Sequence, residues 1–242
     1  MLDIRNLGLR SLKEVNIPEY ITKLICDNNE LETLEGLEKC INLTELNCNN
    51  NKLKTLKGIE KCINLTGLYC GCNKIKKLEG IEKCINLTKL NCYDNKIKTL
   101  EGLEKCVNLT ILNCSCNELE RLEGLEKCVN LSILLCYNNK LESLEGLEKC
   151  INLNRLFCFN NRLETLKGIE RCNKLTELDC KRNELRKLKY CPESIEDIRY
   201  DFFNDMIKEE YRGKDIREIH RINKEKWERS IYKEVMKEDN FL

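Results

Sequence analysis

The residues with the most chemistry in this chain are its 18 cysteines. Thiolates bind soft metals, exchange electrons and attack electrophiles, so their spacing decides which of these is open. Two close pairs stand out, Cys70-Gly-Cys72 and Cys114-Ser-Cys116. A zinc site would need about four ligands, each ~2.3 Å from one ion. Histidine, the usual partner of a catalytic or metal-binding thiol, occurs once, as His220 in a highly charged stretch. No Ser/His/Asp set can be assembled around it. The phosphate-cradling and zinc-helix motifs G-x-x-x-x-G-K-[ST], G-x-G-x-x-G and H-E-x-x-H do not occur. Whether the thiols can converge depends on the elements that carry them.

Those elements repeat. Asn29, Asn51, Asn73, Asn95, Asn117, Asn139, Asn161 and Asn183 follow one another at a constant step of 22 residues. The column from Cys26 to Cys180, a second from Cys40 to Cys172, and the glycines from Gly36 to Gly168 keep the same step. One unit reads Leu43, Leu46, Cys48, Asn51, Leu53, Leu56, Ile59, Cys62. Leu46 and Cys48 alternate with polar neighbours, which predicts a short strand. The Asn leaves that strand, and its amide can bond the backbone of its own turn and of the next coil. Leu53, Leu56, Ile59 and Cys62 turn back inward, and Gly58 allows the tight bend between them. No single coil can bury its apolar face, so the units must stack into a solenoid.

This pattern resembles the leucine-rich-repeat consensus L-x-x-L-x-L-x-x-N-x-L. Within that family it is similar to the 22-residue class of the small phosphatase-regulator subunits and the internalins. The resemblance covers roughly Leu2 to Leu188. It departs from the consensus in placing Cys at two core columns, where a free thiol acts as a small buried hydrophobe. The resemblance implies an α/β leucine-rich-repeat solenoid with a parallel concave sheet and a 3₁₀ or irregular convex side. About nine strands at ~4.8 Å would make a sheet roughly 40 Å long. It also implies protein–protein binding as the usual role of such an array.

The ends are irregular. Residues 1–20 read as a degenerate capping repeat, with Leu7 where Asn belongs and Pro18 in its convex part. Residues 21–188 are the regular repeats. Residues 189–242 read as a final short strand around Pro192, Ile195, Ile198 and Tyr200, then a helical cap. Phe203, Met206 and Ile207, and after Gly213 also Ile216, Ile219, Trp227, Ile231 and Val235, fall at helical spacing.

With the repeat in hand, the cysteine chemistry recedes. Cys70 and Cys114 belong to an inward column, their partners sit two residues on, and the pairs lie two coils apart, roughly 10 Å by strand spacing. No metal or other cofactor is expected; a thiol-rich metal or redox protein is the alternative reading. Lys plus Arg number 42 against 41 Asp plus Glu, so no bulk charge drives the chain toward nucleic acid or anionic lipid. The charged segment Met1–Tyr20 does not read as a signal peptide, and no apolar run approaches ~20 residues. A cytoplasmic monomer with reduced thiols is expected. The sequons that begin at Asn42, Asn64, Asn86, Asn108 and Asn130 matter only on a secretory route. The columns from Glu38 to Glu170 and from Lys39 to Arg171 are expected to neutralise each other as a solubilising face.

On the concave side the repeat stops repeating, at three outward positions that flank the two buried residues of each strand. Ile111, Ile133, Leu135, Tyr137, Phe157 and Phe159 are expected to form one apolar patch on the concave side, extended by Tyr93 and Tyr69. Arg155, Lys181, Asp179 and Glu177 would rim it. The expected function is therefore a non-catalytic scaffold that holds a protein partner on this patch.

Overall fold

The computed structural model describes residues 1–185 and 190–200. Its strands are β1 (Leu2–Asp3), β2 (Lys23–Ile25), β3 (Glu45–Asn47), β4 (Gly67–Tyr69), β5 (Lys89–Asn91), β6 (Ile111–Asn113), β7 (Ile133–Leu135), β8 (Arg155–Phe157), β9 (Glu177–Asp179) and β10 (Asp197–Arg199). They form one parallel sheet in which sequence neighbours are spatial neighbours. The sheet has ten strands rather than about nine, because both irregular ends contribute one. Leu24 pairs with Leu46, and Leu46 with Leu68, one full repeat at a time. Ile198 pairs with Leu178, two residues short of a full repeat, so the last coil closes early.

Each strand is short because the residue two past the inward cysteine turns left-handed. Asn50 has φ 52°, Cys72 53° and Cys116 54°. The ladder asparagine then stitches the coils together. Nδ2 of Asn51 donates to the carbonyls of Cys26, Cys48 and Asn49, each at 3.1 Å, while its Oδ1 accepts the Leu31 N–H at 3.0 Å. The reach is to the preceding coil, not the next one, since the amide leaves the strand on that side. Almost every hydrogen-bonding valence of a largely buried amide is thereby filled, which is the condition for burying it.

On the convex side most coils make irregular turns, and Ile81–Lys83 and Leu103–Lys105 form single 3₁₀ turns. Gly58 has φ +111°, and a Cβ there would lie 2.3 Å from the Leu34 carbonyl of the preceding coil. Between the two sides runs a continuous core of Leu, Ile and Cys with almost no solvent contact. The two cysteine columns add a weak donor that leucine lacks. Cys48 Sγ donates to the Tyr69 carbonyl of the next coil at 3.4 Å, and Cys106 Sγ to the Ile81 carbonyl of the preceding one at 3.6 Å. Every cysteine is a free thiol.

The first coil uses the same device in truncated form. Asn29 Oδ1 accepts from the Leu7 and Leu9 N–H groups, and its Nδ2 donates to the Ile4 carbonyl. Ser11 and Glu14 close a capping box over the turn Leu12–Glu14. At the far end Pro192 and Ile198 are buried, with Ile195 and Tyr200 partly so. The helical cap expected after Tyr200, including His220 and Trp227, lies outside the described residues.

Candidate functional site

In β2 to β9 the central leucine is buried and, except at Gly67 and Asp179, the residues beside it are at least partly open, so the outward positions fall into columns across the sheet. Register fixes the neighbours. Ile111 pairs with Ile133, and Leu135 with Phe157. Ile111, Ile133, Leu135, Tyr137, Phe157 and Phe159 are all half-buried, and none is sealed inside. The rings of Tyr137 and Phe159 stack, with centroids 4.4 Å apart and planes 5° from parallel. These side chains lie next to one another over β6, β7 and β8.

Its two predicted extensions differ. In the column of Tyr137, Ser115 separates Tyr93 from it, and Ser115 is fully buried. Tyr93 lies over Gly71, where a Cβ would meet its ring at 2.3 Å. Its hydroxyl is 3.0 Å from Cys72 Sγ, a hydrogen bond that together with burial pushes Tyr93 up to about 12. Tyr93 is therefore a seated neighbour of the patch. Tyr69 is not joined to it: Asn91 and Asn113 stand between Tyr69 and Leu135 in their column. Its ring instead covers Gly67, where a Cβ would lie 3.5 Å from it.

The rim carries fixed charge. Arg155 pairs with Glu177 at 3.2 Å. Asp179 is almost wholly buried, and burial raises its carboxyl above the ordinary range even though the Lys181 backbone N–H donates to it at 3.2 Å. Lys181 Nζ is 3.9 Å from the same carboxylate.

The C-x-C pairs do not act together. Cys70 and Cys114 point into the core and are fully buried, while Cys72 and Cys116 ride the left-handed turn at the surface. Among the described residues no group of three or more His, Cys, Asp or Glu side chains is placed to hold a metal ion. No helix among them is long and apolar enough to cross a membrane.

A family model described as Leucine Rich repeats (2 copies) matches residues 63–105 and again 85–127, within the ten-strand array. This is a leucine-rich-repeat protein. No curated protein sequence matches it. Among solved structures, its fold is similar to internalin C2 of Listeria monocytogenes, with a TM-score of 0.68 and 21% identity over 75% of this chain and 81% of that one. A leucine-rich-repeat protein of Leptospira interrogans gives a TM-score of 0.61 and 23% identity over 82% of this chain and 59% of that one. The ectodomain of the Arabidopsis thaliana receptor kinase GASSHO1/SCHENGEN3, solved in complex with CASPARIAN STRIP INTEGRITY FACTOR 2, gives 0.58 and 22% over 67% of this chain and 21% of that one. At these identities the likeness is one of fold.

Two surface features of this leucine-rich-repeat protein were not read from its sequence. The glutamate and lysine columns do not pair with each other. Instead each glutamate reaches back to a glycine N–H: Glu60 to Gly58 at 2.8 Å, Glu104 to Gly102 at 2.7 Å, Glu148 to Gly146 at 2.9 Å. Next to the lysines, on the other side of the buried Cys40 column, runs an aliphatic column: Ile41, Ile63, Ile85, Val107, Val129 and Ile151, each between 40% and 53% exposed. Its constant step was available as a signal, but a period shared with the core columns does not say which way a side chain points.

Proposed function

We propose that this leucine-rich-repeat protein is a non-catalytic scaffold that holds a protein partner against its concave sheet, in the cytoplasm, through the patch centred on Leu135, Tyr137, Phe157 and Phe159. The observation that carries the reading is the contiguity of these half-exposed side chains on a rigid sheet, at the strand positions where the repeat stops repeating. Exposed apolar clusters of this kind mark interaction surfaces, and aromatic anchors within them supply most of the binding energy. Ile111 and Ile133 widen the contact, Tyr93 borders it, and Arg155 and Glu177 give it a charged edge that selects the partner's orientation. Tyr69 serves a separate, smaller contact point. The Arabidopsis ectodomain, solved with a bound factor, supports the use of such a fold for capture.

The decisive experiment is capture of a partner from the native cell. Tyr137→Ala combined with Phe157→Ala should abolish it while the circular dichroism spectrum stays unchanged. Capture that survives in the folded double variant would place the site elsewhere.

A further inference from the structure

We infer a second docking strip, independent of the concave patch, that accepts an acidic amphipathic helix of a protein partner. It is built from the aliphatic column Ile41 to Ile151 and the lysine column that accompanies it two residues earlier in each coil. The two columns flank the buried cysteines of the second column, so both face outward from the same corner of the coil.

Three observations converge on this. First, the aliphatic column is a line of β-branched side chains in a chain that is 34% charged, and nothing among the described residues covers it. Second, Lys61, Lys83, Lys105, Lys127 and Lys149 are exposed and make no ion pair among the described residues; Lys39 alone does, with Glu19 at 3.2 Å. The glutamates that could have neutralised them are held by glycine N–H groups. Third, a shallow trough of about 940 Å³ runs along the same side, lined by asparagines and threonines from Thr22 to Asn152. These are pinned to the backbone one coil back: Asn64 Nδ2 donates to the Ile41 carbonyl at 2.8 Å, and Thr66 Oγ1 to the Thr44 carbonyl at 3.1 Å. The surface that borders the aliphatic column on its far side from the lysines is therefore uncharged, with its side chains hydrogen-bonded in place.

The spacing selects the occupant. Successive coils present an aliphatic side chain and an ammonium roughly every 5 Å. An α-helix lying along the solenoid axis presents its own stripe at about 5.4 Å per turn, so four to five turns can meet the strip coil by coil. An extended strand, with a same-face repeat of about 6.8 Å, would fall out of step within two coils. Charge complementarity asks for carboxylates along the flank of that helix that meets the lysines. A flat anionic membrane matches less well, since a broad contact would press the neighbouring glutamate column against it as well.

The test uses the full chain with isotope-labelled Ile and Val methyl groups and an 18-residue probe peptide bearing a leucine stripe flanked by glutamates. The peptide should gain helicity on mixing and shift the methyl signals of Ile63, Ile85, Val107 and Val129, leaving Ile133 unmoved. Ile85→Asp with Val107→Asp, and separately Lys83→Glu with Lys105→Glu, should each weaken binding at least tenfold. Tyr137→Ala with Phe157→Ala should not, which keeps failure of this strip distinguishable from failure of the concave site. Equal binding by the peptide with lysine in place of glutamate, shifts confined to the sheet, no binding at millimolar peptide, or binding only to vesicles of phosphatidylserine would each overturn the inference.

Discussion

Tyr137 and Phe159, one coil apart, lie ring against ring at 4.4 Å with their planes 5° from parallel. The register of β7 against β8 places them there, and each ring narrows the other's freedom before any partner arrives. Stacked pairs of this kind are worth about 0.5–1.5 kcal/mol beyond the area they bury. A double-mutant cycle of Tyr137→Ala and Phe159→Ala, read by urea unfolding, should return a coupling in that range. A coupling near zero would mean that the rings only share a column.

The asparagine ladder predicts a steep cost at a single side chain. Asn95 Nδ2 donates to the carbonyls of Cys70, Cys92 and Tyr93, and its Oδ1 accepts the Ile75 N–H at 2.9 Å. Asn95→Ala strands those groups in a nearly buried setting, at a cost of roughly 2–5 kcal/mol. Asn95→Asp keeps the acceptor but turns an oxygen toward three carbonyls. Its loss of stability should be greater at pH 7 than at pH 3, where the added carboxyl can hold a proton and donate. Chemical denaturation at both values checks the order.

Two glycines separate strain from overlap. At Gly168, with φ +112°, a Cβ would sit 2.2 Å from the Leu144 carbonyl oxygen. At Gly8, with φ +68°, it would meet nothing within 4 Å. Gly168→Ala should therefore cost about 2–4 kcal/mol, from backbone strain plus displacement of the neighbouring coil. Gly8→Ala should cost about 1 kcal/mol, from strain alone. Similar melting temperatures for the two variants would refute the overlap argument.

The thiols make a prediction in alkali. Burial pushes Cys26, Cys62, Cys84, Cys92, Cys106, Cys150 and Cys172 up to about 12, and Cys48, Cys70, Cys114, Cys136 and Cys158 well above the ordinary value of 9. The folded state holds these protons more tightly than the unfolded chain does. Their stabilising contribution is complete well below pH 9 and is lost as pH rises from about 9 through 12, by up to about 1.4 kcal/mol per thiol per pH unit. Stability should be flat from pH 7 to about 7.5, begin to decline near pH 8 and fall steeply above about pH 9. At neutral pH a thiol reagent should label Cys72 and Cys116 first and Cys191 more slowly, with the buried columns reacting only on unfolding. Rapid labelling of Cys92 or Cys136 in the folded chain would contradict this.

Most of the coil was legible from residue order. A constant step of 22 residues returns Leu46, Cys48, Asn51 and Gly58 to equivalent places in every coil, and stacking is the only way such a coil can bury its leucines. The parallel sheet and the grouping of Leu135, Tyr137, Phe157 and Phe159 on one wall follow from that step and from strand alternation. Three-dimensional placement decided the rest. Residue order alone did not show that Glu104 would turn to a glycine N–H and leave Lys105 without an ion pair among the described residues, or that Val107 would face solvent while Cys106 beside it faced the core. A repeat specifies which positions are equivalent. The direction of a side chain outside the strand, and the partner it bonds, depend on the local turn and on the coil packed against it, and neither is encoded in a period.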